Sequence, residues 1–136
     1  MDDQLLMTFF GVALGAIGYW VATFWIQPIL RWRTIRQQIL SDLIFYADAV
    51  IADGMSDRIQ ERRWQRINSN RRSSADLYSC LETLPFWHRI WLKSKKIDIE
   101  KAARNLIGYA NTPDYDDAVK RVNVIKAALG LKTDVI

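Results

Sequence analysis

Between Leu5 and Ile26 the chain carries no charged residue, and its first basic residue, Arg31, comes only after Leu30. A helix over Leu5 to Ile26, rising about 1.5 Å per residue, covers about 33 Å, enough to cross a bilayer core of about 30 Å. The remainder, about a hundred residues, is too small to enclose such a run on all sides. A transmembrane helix at about Leu5 to Leu30 is therefore expected, dividing the chain into an anchor over residues 1–30 and a helical domain over 31–136. A cleaved signal peptide fits less well, because Asp2 and Asp3 make the leading residues acidic where a signal would be basic.

Charge divides the chain at the same place. All 19 Lys and Arg residues fall at Arg31 or later, while Asp2 and Asp3 lie before the apolar run. Lys and Arg gather on the cytoplasmic side of a span, so the asymmetry predicts a bacterial inner (plasma) membrane protein with its N-terminus outside and its domain in the cytoplasm. Trp25, Arg31, Trp32 and Arg33, together with Tyr19 and Trp20, have the composition of a membrane interface. Pro28 lacks an N–H and its ring crowds the preceding turn, which predicts a bend or break as the chain leaves the membrane.

Within the run, Thr8, Gly11, Gly15, Gly18 and Ala22 recur at spacings of three and four. In lipid, where water expulsion does not drive association, such a small-residue face lets backbones approach closely. Self-association through these five positions is expected.

Beyond Pro28 the apolar residues follow a helical period and no strand alternation appears. The expected class is all-α, with about four helices after the span. Trp32, Ile35, Ile39, Leu43, Tyr46 and Val50 mark the first, widened by Leu40, Ala47 and Ile51; Gly54 is read as its stop and Ser56 as the next N-cap. A second helix, from about Asp57 to Leu84, is expected to bury Ile59, Trp64, Ile67, Leu77 and Leu81, with Pro85 ending it. An aromatic segment follows, Phe86 to Leu92, read as either interfacial anchor or core, and then a basic turn from Lys93 to Lys96. Asp98 is read as the N-cap of a helix burying Ile99, Ala102, Ala103, Leu106 and Ile107. Thr112 and Pro113 are read as cap and first residue of the last helix, which presents Val119, Val122, Ile125 and Leu129 and stops at Gly130.

Arg58, Arg62, Arg63, Arg66, Arg71 and Arg72 form the strongest polar signal, opposed only by Glu61. Arginine forks suit bidentate contacts with anions, so this run is either a site for anionic lipid, nucleic acid or an acidic protein, or a solvated face. No catalytic signature accompanies it. His88 is the only histidine and, with the single cysteine Cys80, leaves a zinc site short of ligands. Phosphate-binding loops, nucleophile elbows and HExxH are missing. No enzyme activity, cofactor or metal is expected.

The stretch from Arg36 to Ala49, with Arg72-Ser-Ser-Ala75-Asp-Leu77 and Leu106-Ile-Gly108-Tyr-Ala-Asn111, resembles a broad group of small bacterial membrane proteins with one N-terminal span and a helical domain. In architecture the chain is also similar to the CRISPR-associated single-span proteins that accompany type VI-B effectors and assemble as membrane pores in phage defence. The Arg and His pair of that family has no counterpart, since Leu81, Glu82 and Thr83 occupy the positions that would hold the arginine before His88. The resemblance implies a homo-oligomeric pore or depolarising effector in antiphage defence. The alternative is a membrane-tethered adaptor whose basic domain binds a cytoplasmic protein, anionic lipid or nucleic acid.

Overall fold

A computed structural model describes residues 2–47 and 57–131, and among these the secondary structure is entirely helical. The proposed caps Gly54 and Ser56, the stripe residues Val50 and Ile51, and the side chain of Ile59 lie outside what is described. Helix α1 (Asp3–Val21) runs into a π-helical turn (Ala22–Ile26) and on into α2 (Gln27–Phe45). Then come α3 (Asp57–Thr83), α4 (Phe86–Ser94), α5 (Ile99–Asn111) and α6 (Tyr115–Ala128).

The break expected at Pro28 does not occur. Proline removes one helical N–H and its ring pushes on the carbonyl four residues back, here Phe24. The π turn lies directly before it, with the Gln27 N–H donating to the Ala22 carbonyl, an i→i−5 bond. The wider turn accommodates the ring, and helical structure persists for 43 residues from Asp3 to Phe45. One rod thus carries both the apolar segment and the first wall of the bundle, with no linker between them.

The bundle forms around α2, α3, α5 and α6. Trp32, Ile39 and Leu43 of α2 pack into one core with Leu77 and Cys80 of α3, Leu84 just past its end, Leu106 and Tyr109 of α5, Ile125 of α6 and Leu129 at its C-cap. The inward stripe of α3 differs from the one expected. Trp64 is 63% exposed and Ile67 and Leu81 are half-buried, whereas Arg66, Asn70, Ser73 and Ser74 are buried. Positions 66, 70, 73, 77, 80 and 84 keep a helical period, but its first half is polar. The small serines let α3 and α5 approach closely, and the Ser74 hydroxyl donates to the Ala103 carbonyl at 2.8 Å. Burying a hydroxyl costs little when it is hydrogen-bonded in this way.

Helix ends explain the remaining boundaries. Asp98 caps α5, its carboxylate accepting from the Lys101 N–H at 3.0 Å. Tyr109 and Ala110 are buried in α5, and Ile107 is exposed, contrary to expectation. The N-cap of α6 is Asp114, two residues later than the Thr112 and Pro113 reading, with its carboxylate accepting from the Asp116 N–H. Thr112 closes α5 instead. In α6, Ile125 and Leu129 are buried but Val119 is exposed. Gly130 ends α6 with φ 66°. Leu131 N–H donates to the Lys126 carbonyl and Gly130 N–H to that of Ala127, a Schellman closure that needs the left-handed backbone glycine adopts freely. Gly108 serves packing: a Cβ there would overlap the Arg121 guanidinium, which is paired with Asp117 at 2.8 Å.

Candidate functional site

No residue of α1 is buried. Along the small-residue face, a Cβ added at Gly11, Gly15 or Gly18 would meet nothing within 4 Å. Thr8 directs its hydroxyl to the Gln4 carbonyl at 2.8 Å, satisfying itself within the helix, and Ala22 opens the π turn. The face formed by Thr8, Gly11, Gly15, Gly18 and Ala22 is therefore uncovered within one chain. By length and composition Asp3–Phe45 is the one helix among the described residues apolar enough to cross a membrane.

The four residues expected at a membrane interface separate in the structure. Trp25 meets Trp20 edge-on at 5.7 Å and Trp87 at 6.2 Å, so an aromatic cluster joins the end of the apolar segment to α4. Arg33 is exposed, and Arg31 reaches Ser79 Oγ at 3.3 Å. Trp32 is only 4% exposed and belongs to the core; a large indole on the inward side of α2 is held by the bundle and cannot join a lipid-facing belt. The aromatic segment Phe86 to Leu92 proves to be helix α4. It buries His88 and Leu92 and exposes Phe86, Trp87, Ile90 and Trp91.

The arginine run does not form one surface. Arg58 and Arg72 are exposed. Arg62 stacks on the Phe45 ring at 5.2 Å and donates to the Phe45 carbonyl at 2.9 Å, Arg63 is engaged in a further interaction, and Arg71 reaches Asn111 Oδ1 at 3.1 Å. Arg66 is fully buried, 4.7 Å above the Tyr109 ring, with Nη1 donating to the Tyr109 carbonyl at 3.1 Å and Nε and Nη2 unpartnered. The ring face and the carbonyl are the groups that meet the guanidinium. Its place in the i, i+4 series with Arg58 and Arg62 suggests the surface, but the Tyr109 contact places it in the core.

A groove of about 940 Å³ lies between α2 and α4. Ile29, Trp87, Arg33, Arg36, His88, Trp91 and Lys95 are among the residues that line it, with no carboxylate in the lining. Arg36 is already committed, Nε to the Leu129 carbonyl at 2.8 Å and Nη2 to that of Gly130 at 2.7 Å. His88 is sandwiched, stacked on Trp91 at 5.4 Å and edge-on to Trp87 at 5.6 Å, with Nε2 buried and unpartnered. Burial first, and then the charge of Arg33, hold its pKa below the usual histidine range. A second groove, of about 810 Å³, mixes Glu82, Asp98 and Glu100 with Arg89 and lysines and has no single sign.

Cys80 is fully buried, and burial pushes its thiol pKa up, with Arg31 opposing more weakly; a protonated, enclosed thiol is inert. Among the described residues no group of His, Cys, Asp and Glu side chains is placed to hold a metal ion. The sequence reading singled out neither Arg36 nor the buried Lys126, whose Nζ is unpartnered. The only trace of Arg36 in the sequence is its place as the last of three arginines, after Arg31 and Arg33, on α2. No protein-family model, curated protein or solved structure matches this chain.

Proposed function

We propose that this chain is a single-span protein of the bacterial inner membrane, its bundle in the cytoplasm, that assembles with copies of itself through the face of Thr8, Gly11, Gly15, Gly18 and Ala22. The assembly acts as a membrane-permeabilising effector in antiphage defence, the role implied by the resemblance to single-span pore proteins. One observation carries the reading: the apolar helix α1 has no buried residue, and the apolar window of the Asp3–Phe45 helix is 0% buried. A core helix of a soluble protein would be covered. In water the exposed side chains of Leu5, Phe9, Phe10, Val12 and Leu14 would each forgo about 1.5 to 3 kcal/mol of burial, a cost that lipid removes.

A tethered adaptor is the second reading. It is favoured by Phe45 and Trp64, both more than 60% exposed on the bundle, since large aromatics in the open mark contact surfaces.

Gly15→Leu tests the proposal. A Cβ at Gly15 meets nothing in the single chain, and leucine improves both helix propensity and insertion, so loss of assembly can only come from contacts between copies. Mass by light scattering in detergent and ion efflux from proteoliposomes should both fall for Gly15→Leu, while Leu14→Ala should match the wild type. A Gly15→Leu protein that stays assembled would refute the contact face. A monomeric, ion-tight wild type would refute the pore and favour the adaptor.

A further inference from the structure

We propose that the groove between α2 and α4 holds the headgroup phosphate of an anionic phospholipid, with Arg33 and Lys95 pairing its charge and His88 donating through Nε2. The inference rests on the membrane-spanning reading of α1 and adds a ligand to it.

Position is the first argument. Ile29 and Trp87 line the groove next to Trp25, and the contact between Trp25 and Trp87 makes the groove continuous with the aromatic residues that end the apolar segment. Leu5 to Leu30, as an upright helix, extends about 39 Å, against a bilayer of about 40–45 Å including its headgroups. Arg33 then stands at headgroup level.

Charge is the second. The lining contains Arg33, Arg36 and Lys95 and no acid. Arg36 is occupied by the end of α6. Arg33 is exposed, and Lys95 rests only over the Trp91 ring at 6.0 Å, so two cations face the groove with no carboxylate in it to neutralise them. Concentrating positive charge in a concave, partly apolar site favours an anion carrying its own apolar portion.

The third argument is His88. It is only 7% exposed and its buried Nε2 has no hydrogen-bond partner in the fold. A buried polar nitrogen in this state costs free energy until an acceptor reaches it, and a phosphate oxygen in the groove that His88 lines is such an acceptor. Trp87 and Trp91 pack against the ring, and because Nε2 is buried a phosphate oxygen reaches it only once these side chains shift.

The test uses the full chain in a neutral detergent, titrated with phosphatidylglycerol, phosphatidylcholine or glycerol phosphate, with bound species counted by native mass spectrometry. Phosphatidylglycerol should bind tightest. Arg33→Gln with Lys95→Gln should weaken it about 30-fold, at about five-fold per cation near a membrane surface, and His88→Phe, which keeps the ring stack, should weaken it roughly ten-fold. Lys101→Gln with Arg104→Gln, the same charge loss at exposed positions on α5, should leave binding unchanged. Equal binding of phosphatidylcholine, or an unaffected Arg33→Gln, Lys95→Gln protein, would overturn the site. Glycerol phosphate binding as tightly as the lipid would overturn the lipid assignment in favour of a soluble phosphate ligand. Carbonate extraction of the wild type from membranes, run in parallel, reports on the span alone, so its failure is distinguishable from failure of the groove.

Discussion

Arg36→Met isolates the joint between the helix that carries the apolar segment and the end of the bundle. The guanidinium donates to the carbonyls of Leu129 and Gly130 at 2.8 and 2.7 Å, where α6 leaves acceptors unsatisfied and its dipole is negative. Hydrogen bonds from a charged donor contribute about 1.5 to 3 kcal/mol when shielded. Only the Leu129 bond is partly buried and the Gly130 bond is exposed, so the pair is worth about 2 kcal/mol. Methionine keeps the aliphatic stem and removes only the donors. For a domain of this size, 1 kcal/mol moves Tm by about 4–8 °C, which predicts a fall of about 10 °C and roughly half that for Arg36→Lys. Near-UV circular dichroism of the detergent-solubilised chain, which follows Tyr109 and the core tryptophan, is the suitable probe, because α1 stays helical in a micelle. Amide exchange at Asp98, whose N–H donates to the Ala128 carbonyl at 2.8 Å, reports on the same junction. A melting temperature within about 2 °C of wild type, with unchanged exchange at Asp98, would refute the capping role.

Two further outcomes follow from buried groups. Cys80 should resist thiol reagents in the folded chain whichever way it is oriented, so topology is read with Asp2→Cys and Lys93→Cys in a Cys80→Ala background. An impermeant reagent on intact cells should label the first and reach the second only after permeabilisation, and the reverse pattern would overturn the cytoplasmic placement. For His88, burial and then the charge of Arg33 depress the folded pKa below 6.5. The unfolded chain therefore takes up the proton first, and stability is full above about pH 6.5 and declines as pH falls below it. Wild type should lose Tm between pH 7 and 5.5 where His88→Phe does not, and parallel slopes would show that His88 is not held neutral.

Much of the fold is written in local signals. The helical period of Ile39, Leu43, Leu106, Ile125 and Leu129 places these residues in the core, Asp98 caps where a short polar side chain precedes an apolar run, and Gly130 stops α6 where the backbone must turn left-handed. Several misreadings concern residues whose environment is set from across the bundle. Trp64 reads as core by hydrophobicity, yet α3 turns Arg66 and Ser74 inward, where α5 offers them the Tyr109 ring and carbonyl and the Ala103 carbonyl. Pro28 reads as a break because the π turn that absorbs it leaves no signature in Ala22 to Ile26. Of the candidate groove, the tryptophans and lysines were visible as an interfacial segment. That Arg33 faces them from α2 depends on the helix continuing unbroken through Pro28.

The arginines repay comparison with one another, because several of them reach backbone carbonyls at helix ends. Arg62 donates to the Phe45 carbonyl at the end of α2, Arg89 to those of Leu84 and Glu82 at the end of α3, Arg66 to that of Tyr109 in the last turn of α5, and Arg36 to those of Leu129 and Gly130 beyond α6. Every helix C-terminus contributes acceptors that its own backbone cannot satisfy, together with a partial negative charge. A guanidinium meets both needs at once, reaching two carbonyls with one planar group in a way that a lysine ammonium does not. A small bundle with few buried apolar side chains on α3 gains cohesion this way, because each bond ties the end of one helix to the side of another. Of the run that suggested an external anion, Arg62 and Arg66 are thus spent on backbone carbonyls, whereas Arg58 and Arg72 stay exposed. Among the cations that remain exposed, Arg33 and Lys95 are the pair that the fold brings to one groove without a carboxylate in its lining.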